Sequence, residues 1–237
     1  MKLQDNERID DLEYKGLKII QNKEAFCFGI DSILLSDFAK EIKNGSKVID
    51  LGTGNGIIGI MLCAKTELSK MIGVEVQEES AKLTKRNIEL NNFEEKFEVI
   101  NKNINDLEEV LQMGTFDAVV TNPPYKKVGT GMTNENEKKL IARHEIKANL
   151  EDFVRVSSKL LKDKGNFYMV HRPDRLVDII DNLTEKTEKK IKQIEDKQKK
   201  LEAKMEEVEN SVNEIESDIY LENEFTTKEK LQEINLD

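Results

Sequence analysis

The sequence predicts an α/β fold with a mostly parallel sheet, an N-terminal hairpin and a long C-terminal helix. Three observations predict it. Apolar runs of strand length alternate with helical-period segments between residues 47 and 171. A glycine-rich turn, DLGTGNG at 50–56, joins the first of these strands to the first of these helices. Beyond Leu183 the chain turns into charged heptads with no Gly or Pro.

In chain order, GLKIIQ and FCF around the polar NKEA predict a hairpin of two short strands. SILLSDFAKEI predicts a helix with Asp31 as its N-cap and Ile33, Leu34, Phe38 and Ile42 on its apolar face. KVIDLG (47–52) is a buried strand, GIIGIMLCAKT a helix, MIGVEV (71–76) a strand, and QEESAKLTKRNIELNN an amphipathic helix. KFEVIN (96–101), FDAVVT (116–121) and GNFYMVH (165–171) add strands, with helices from NDLEEVL and LEDFVRVSSKLLK between them. Strand and helix taking turns implies right-handed βαβ units with helices on both faces of the sheet. The division expected is a domain over 1–183 and a charged heptad helix with a flexible tail over 184–237. Ile191, Ile194, Gln198, Leu201, Met205, Val208, Val212, Ile215 and Ile219 form the heptad seam, so self-association through 191–219 is expected. A solvated single helix rich in Glu and Lys pairs is the alternative.

Composition sets limits on function. The net charge of −10 argues against a protein that coats nucleic acid nonspecifically. Residues 122–175 run the other way, with 12 Lys or Arg against 7 Asp or Glu; Lys126 and Lys127 follow directly on the NPPY segment described next, and Arg143 comes later in the same basic stretch. Position makes that cluster a candidate phosphate-tracking surface. No stretch is apolar enough for a membrane span or ordered as a signal peptide, so a cytosolic protein is expected. Cys27 and Cys63 are isolated, which points to reduced structural thiols and to no metal site.

Two motifs carry chemistry. In the glycine turn, Gly52, Gly54 and Gly56 let a ligand approach the backbone, and Gly54, Gly56 and Gly59 also satisfy GxGxxG. Asp50 decides between ligands: a carboxylate at the strand end repels a pyrophosphate but suits a cation. Glu75 ends the second strand about twenty residues on, where an acid accepts ribose hydroxyl protons. The second motif is Asn122-Pro123-Pro124-Tyr125, closing the strand FDAVVT. The Asn122 side-chain oxygen and the Pro123 carbonyl can each accept one hydrogen of a planar amino group. Those bonds would hold the nitrogen in line for attack and favour its becoming tetrahedral. Tyr125 offers a flat face for stacking. His144 and His171 sit in no visible nucleophile–base arrangement.

The pair of motifs resembles class I S-adenosylmethionine (SAM)-dependent methyltransferases acting on an sp² amino nitrogen. FCFGIDSILLSDFAK, DLGTGNGIIGIMLCAKT, TNPPYKKVGTGMTNENEKKLIARHE and GNFYMVHRPDRLVDII together resemble the bacterial tRNA1(Val) adenine-N6 methyltransferase family, over about residues 8 to 183. That resemblance implies a Rossmann-like methyltransferase fold, SAM as cofactor and tRNA as partner. It implies that Asp50, Gly52, Thr53, Gly54, Gly56, Glu75, Val76 and Asn103 hold SAM, that Asn122 to Tyr125 hold the target base, and that Phe28 and Asp31 border the pocket. Lys126, Lys127 and Arg143 would touch RNA. The sequence departs from the family at Asn103, where an acid is usual. It departs again after the fifth strand, where an antiparallel pair is usual and Lys/Glu heptads stand instead, so an open sheet edge and reduced stability are expected. Two other readings remain: a protein-glutamine N5-methyltransferase, which shares NPPY but carries a helical domain ahead of the glycine turn, and a catalytically impaired fusion serving as a coiled-coil interaction protein.

Overall fold

The computed structural model describes residues 3–24, 27–124 and 148–173, with helical positions 176, 177, 179–181, 184, 192, 196, 198–200 and 202–205. The chain divides into two units, Met1–Leu183 and Thr184–Asp237. In the first, β1 (Glu7–Asp11) and β2 (Lys18–Asn22) form an antiparallel hairpin. Then come α1 (Ile30–Phe38), β3 (Lys47–Leu51), α2 (Ile57–Lys65), β4 (Lys70–Glu75), α3 (Glu78–Leu90), β5 (Phe97–Asn101), β6 (Phe116–Thr121), α4 (Leu150–Leu160) and β7 (Leu161–Met169). A 3-10 turn at Ala39–Glu41 extends α1, and another at Ile104–Glu109 follows β5.

Strands β3 to β7 make one sheet in the order β5-β4-β3-β6-β7, every neighbouring pair parallel. A strand's side chains alternate between faces, and here the alternation separates two cores. Val48, Met71, Ala118 and Val120 pack with α1, α2 and β2, whereas Ile49, Leu51, Ile72, Val74 and Val119 pack with Phe153, Val156 and Leu160 of α4 and with Ile104 and Leu107. Burial on both faces is why these strands read as continuous apolar runs. The chain leaves β3 for β4 and β5 on one side and returns to β6 and β7 on the other, so the crevice at the C-terminal ends of β3 and β6 is the topological switch point.

Five expectations change. The hairpin forms, but the strand paired with KIIQN is the upstream ERIDD rather than FCF. The reason is a non-local tie: Glu7 of β1 is buried and forms a bidentate ion pair with Arg86 of α3, Nη2–Oε2 2.9 Å. Helix α1 is capped by Gly29, not by Asp31, which lies in its first turn. Its buried face carries Ser32, Leu35 and Ser36; of the expected apolar face, Leu34 and Phe38 are 57% and 73% exposed, while Ile42 is buried and Ile33 packs against the core. NDLEEVL is 3-10 rather than α, and β7 begins four residues early, with a register shift opposite Phe116–Ala118. In the second unit the described residues are helical and exposed, with Gln198 bonded to Glu202 one turn on at 3.0 Å. Of the seam, only Gln198 and Met205 are among them; Ile191, Ile194, Leu201, Val208, Val212, Ile215 and Ile219 lie outside the described residues.

Candidate active site

Register brings the two motifs together. Leu51 pairs with Thr121 across β3 and β6, and the Thr121 hydroxyl donates to the Leu51 carbonyl at 2.8 Å, so Gly52 and Asn122 leave adjacent strand ends. On the other flank Leu51 pairs with Val74, and Glu75 with Asn101, which places Glu75 and then Asn103 along the same edge.

The glycine turn is wound tightly. The N–H groups of Gly52 and Thr53 both donate to the Val74 carbonyl at 2.9 Å, and Gly56 N–H donates to the Thr53 carbonyl at 2.9 Å. Gly54 and Gly56 have φ of +60° and +86°, a region costly for residues with a Cβ. Their surroundings differ. A Cβ on Gly56 would lie 2.8 Å from Cγ2 of Thr84, while one on Gly54 would meet nothing within 4 Å. Packing demands the first glycine, and open space for a ligand lies beside the second. Gly59, the last glycine of the GxGxxG match, faces the Phe97 ring instead.

Asp50 is fully buried. Its Oδ2 accepts the Thr53 hydroxyl at 2.7 Å, and its Oδ1 has no partner among the described residues. Burial, with the nearby Glu75 charge adding to it and the Thr53 bond opposing it, pushes its pKa up to about 7. Glu75 is also buried; its two oxygens accept Gly54 N–H at 3.0 Å and Gln77 N–H at 2.8 Å. These bonds fix the carboxylate at the strand end. Val76 follows it, half-buried. Asn103 caps the second 3-10 turn, its side-chain oxygen accepting Asn105 N–H at 3.0 Å.

Sequence reasoning passed over two residues here. Asn55 is buried, its side-chain nitrogen has no partner among the described residues, and no bond is made there by its backbone N–H. Nothing marks it in the sequence except its place between two glycines. Ser32 is the other: Asn122 donates its side-chain N–H to the Ser32 hydroxyl at 3.2 Å, which turns the amide oxygen to the opposite side. Pro123 is buried and Pro124 half-buried. Asp31, next to Ser32, is half-buried, and Phe28 is held by a 3.0 Å bond from its N–H to Gln21. Tyr125, Lys126, Lys127, Arg143 and His144 lie outside the described residues.

The family model described as methyltransferase small domain matches residues 19–200, which takes in the glycine turn, Glu75 and the NPPY segment. The chain belongs to the methyltransferase small domain family. It is similar to a protein of Porphyromonas gingivalis strain W83 named tRNA1(Val) (adenine(37)-N6)-methyltransferase, 30% identical over 175 residues that cover 72% of this chain and 68% of the relative. A protein of the same name from Trichodesmium erythraeum is 26% identical over 177 residues, covering 74% and 71%. Among solved structures, P. horikoshii TYW2 in complex with MeSAdo shares the fold, with a TM-score of 0.54 at 13% identity, covering 77% of this chain and 61% of that one.

A SAM-dependent methyltransferase needs a seat for the amino-acid end and the ribose of its cofactor, and the residues present fit. An unpaired, buried carboxylate oxygen calls for a cation, and Asp50 Oδ1 matches the ammonium of SAM. Asn55 offers two unspent donors in the same turn, suited to the carboxylate. The open side of Gly54 leaves room, and Glu75 sits at the adjacent strand end for a ribose.

Proposed function

We propose that this methyltransferase transfers a methyl group from SAM to the exocyclic N6 of an adenine in RNA, in the anticodon loop of a tRNA. The observation that supports it best is the Leu51–Thr121 register, which sets the cofactor turn and the NPP segment on neighbouring strand ends. The names of the relatives supply the nucleobase and the RNA.

SAM supplies an activated methyl group on a sulfonium. The chain's own residues do the rest. Asp50, Gly52, Thr53, Gly54, Gly56 and Asn55 form the seat of the amino-acid end, with Thr53 acting through the orientation it gives Asp50. Glu75, Val76 and Asn103 line the ribose and adenine side. An aromatic amino nitrogen is a weak nucleophile because its lone pair is delocalised into the ring. Asn122, with its nitrogen held by Ser32, directs its side-chain oxygen to one amino hydrogen, and the Pro123 carbonyl takes the other. Neither proline has an N–H to compete. Tyr125 stacks on the base, and Phe28 and Asp31 border it. Lys126, Lys127 and Arg143 contact phosphates. No base is needed before transfer, since the alkylated nitrogen gives up its proton readily to water. An anticodon-loop base is already accessible, so extrusion costs little.

Under the same proposal the catalytic unit is 1–183, and 184–237 is a heptad helix and tail that self-associates through 191–219. No helix among the described residues is long and apolar enough to cross a membrane, and a tRNA substrate places the enzyme in the cytoplasm. Incubation with methyl-labelled SAM, total tRNA and a release factor tests the whole. Label recovered as N6-methyladenine in tRNA is the expected result. Label on protein moves the assignment to glutamine, and failure to bind SAM overturns it.

A further inference from the structure

Helix α3 carries two polar residues, Thr84 and Asn87, that face inward rather than to solvent, and Asn91, half-buried, caps its C-terminus. Asn is a poor residue for a helix interior, and Thr84 and Asn87 are both completely buried. Their bonds lead to two places. Asn87 accepts Ile20 N–H at 2.7 Å, and donates to the Ile20 carbonyl at 3.0 Å and to the Asn55 carbonyl at 2.9 Å. Thr84 lies 2.6 Å from the Gly54 carbonyl and 3.0 Å from that of Ser80. A hydroxyl has one proton, and the shorter contact takes it out of the helix and onto the glycine turn. Asn91 bonds both backbone groups of Lys18, at 2.9 and 2.7 Å, without reaching the turn.

We infer that Thr84 and Asn87 are positioning residues for the cofactor, setting the peptide planes of Gly54 and Asn55 so that Asn55 N–H is presented to the carboxylate of SAM. The reason is peptide planarity. In a trans peptide the C=O and the following N–H point in opposite directions. Drawing the Gly54 carbonyl onto α3 therefore turns Asn55 N–H away from α3, where it has no partner among the described residues. Asn87 fixes the next carbonyl in the same sense, and its amide is itself held by both backbone groups of Ile20. The edge of the N-terminal hairpin and the cofactor turn thus share one side chain. This inference rests on the SAM reading above and adds to it residues that touch neither cofactor nor substrate.

The test is calorimetric binding of SAM with steady-state KM and kcat and a thermal melt, on the full chain. Thr84→Val keeps the methyl against Gly56 and removes only the hydroxyl. It is expected to raise both Kd and KM for SAM about tenfold, the loss of roughly one well-made hydrogen bond, with kcat at saturating SAM within about twofold. Thr84→Ser restores wild-type values. Asn87→Asp, which puts an oxygen against two carbonyls, raises Kd further. Asn91→Ala lowers the melting temperature and leaves Kd unchanged, the behaviour of a purely structural amide. A folded Thr84→Val protein with wild-type Kd and KM overturns the inference while leaving the SAM assignment intact. A wild-type protein that binds no SAM overturns both.

Discussion

The Asn122 side-chain nitrogen donates to the Ser32 hydroxyl, and under the proposal its oxygen accepts from the substrate's amino group. Replacement by Ala should therefore lower kcat by at least about 100-fold, a loss typical of one group that positions and polarises in the transition state, with SAM affinity within about twofold of wild type. Single-turnover transfer and calorimetry separate the two, and comparable turnover would remove Asn122 from its role. Ser32→Ala should cost less, about tenfold, because the amide loses its orientation and not its oxygen. Asp50 gives a prediction about pH. Its pKa of about 7 lies above the ordinary carboxylate value, so below neutrality the buried group holds a proton. A bound ammonium favours the ionised form, so SAM binding releases that proton and tightens as pH rises through about 7, levelling off above it. The stability contribution has the reverse sense: the folded state binds a proton that the unfolded chain has lost, so stability from this group declines as pH rises from about 4 to 7. Calorimetry from pH 6 to 8 in buffers of different ionisation enthalpy checks the first slope, and Asp50→Asn should abolish it.

Elements were legible where period and burial agree. FDAVVT is strand over the six residues expected, and KVIDLG, MIGVEV and KFEVIN end within a residue of theirs, because parallel strands buried on both faces leave unbroken apolar runs. Helix α1 was legible as a helix but not in its orientation. A periodic stripe shows that two faces differ, not which of them the fold covers. Here the covered face carries Ser32 and Ser36: Ser36 accepts from Lys65 of α2 at 3.1 Å, and Ser32 supports Asn122, so polar contacts and close approach decided the rotation. Phe38 is left outside, touching Tyr168 edge-on at 6.0 Å. The consequence is a correction of the sequence expectation at Leu34 and Phe38, while Ile33 and Ile42 do meet the core. Phe38→Ser should cost about 1 kcal/mol, the worth of one exposed aromatic contact. Leu35→Ala on the buried side should cost about 2–5 kcal/mol. Urea melts of the two variants measure it, and equal costs would contradict the observed rotation of α1.

At the scale of the molecule, the grouping of the candidate residues was legible because βα units deliver their loops to one edge of a sheet, so the order Asp50, Glu75, Asn103, Asn122 along the chain already implies neighbouring strand ends. What holds the N-terminal hairpin to that sheet was not legible, since its ties join residues some seventy positions apart: Glu7 with Arg86, Ile20 with Asn87, Lys18 with Asn91. No local pattern announces such pairs. The Glu7–Arg86 pair is the one whose removal isolates this coupling. Glu7 is buried, and Arg86 holds its pKa below the ordinary 4.5 chiefly through their hydrogen bonds. A depressed folded pKa gives stability that is complete above the unfolded value and lost as pH falls through the folded one. The melting temperature should therefore drop as pH is lowered below about 4.5, and Glu7→Gln should flatten that limb. Arg86→Met strands a buried carboxylate and should cost about 3 kcal/mol at neutral pH, the low end for such pairs because the guanidinium keeps some contact with water. Glu7→Met with Arg86→Met should recover most of that loss, since two apolar side chains replace the pair without leaving a charge behind. A double variant as unstable as Arg86→Met alone would show that the pair's geometry, and not relief of a buried charge, is what ties the hairpin to α3.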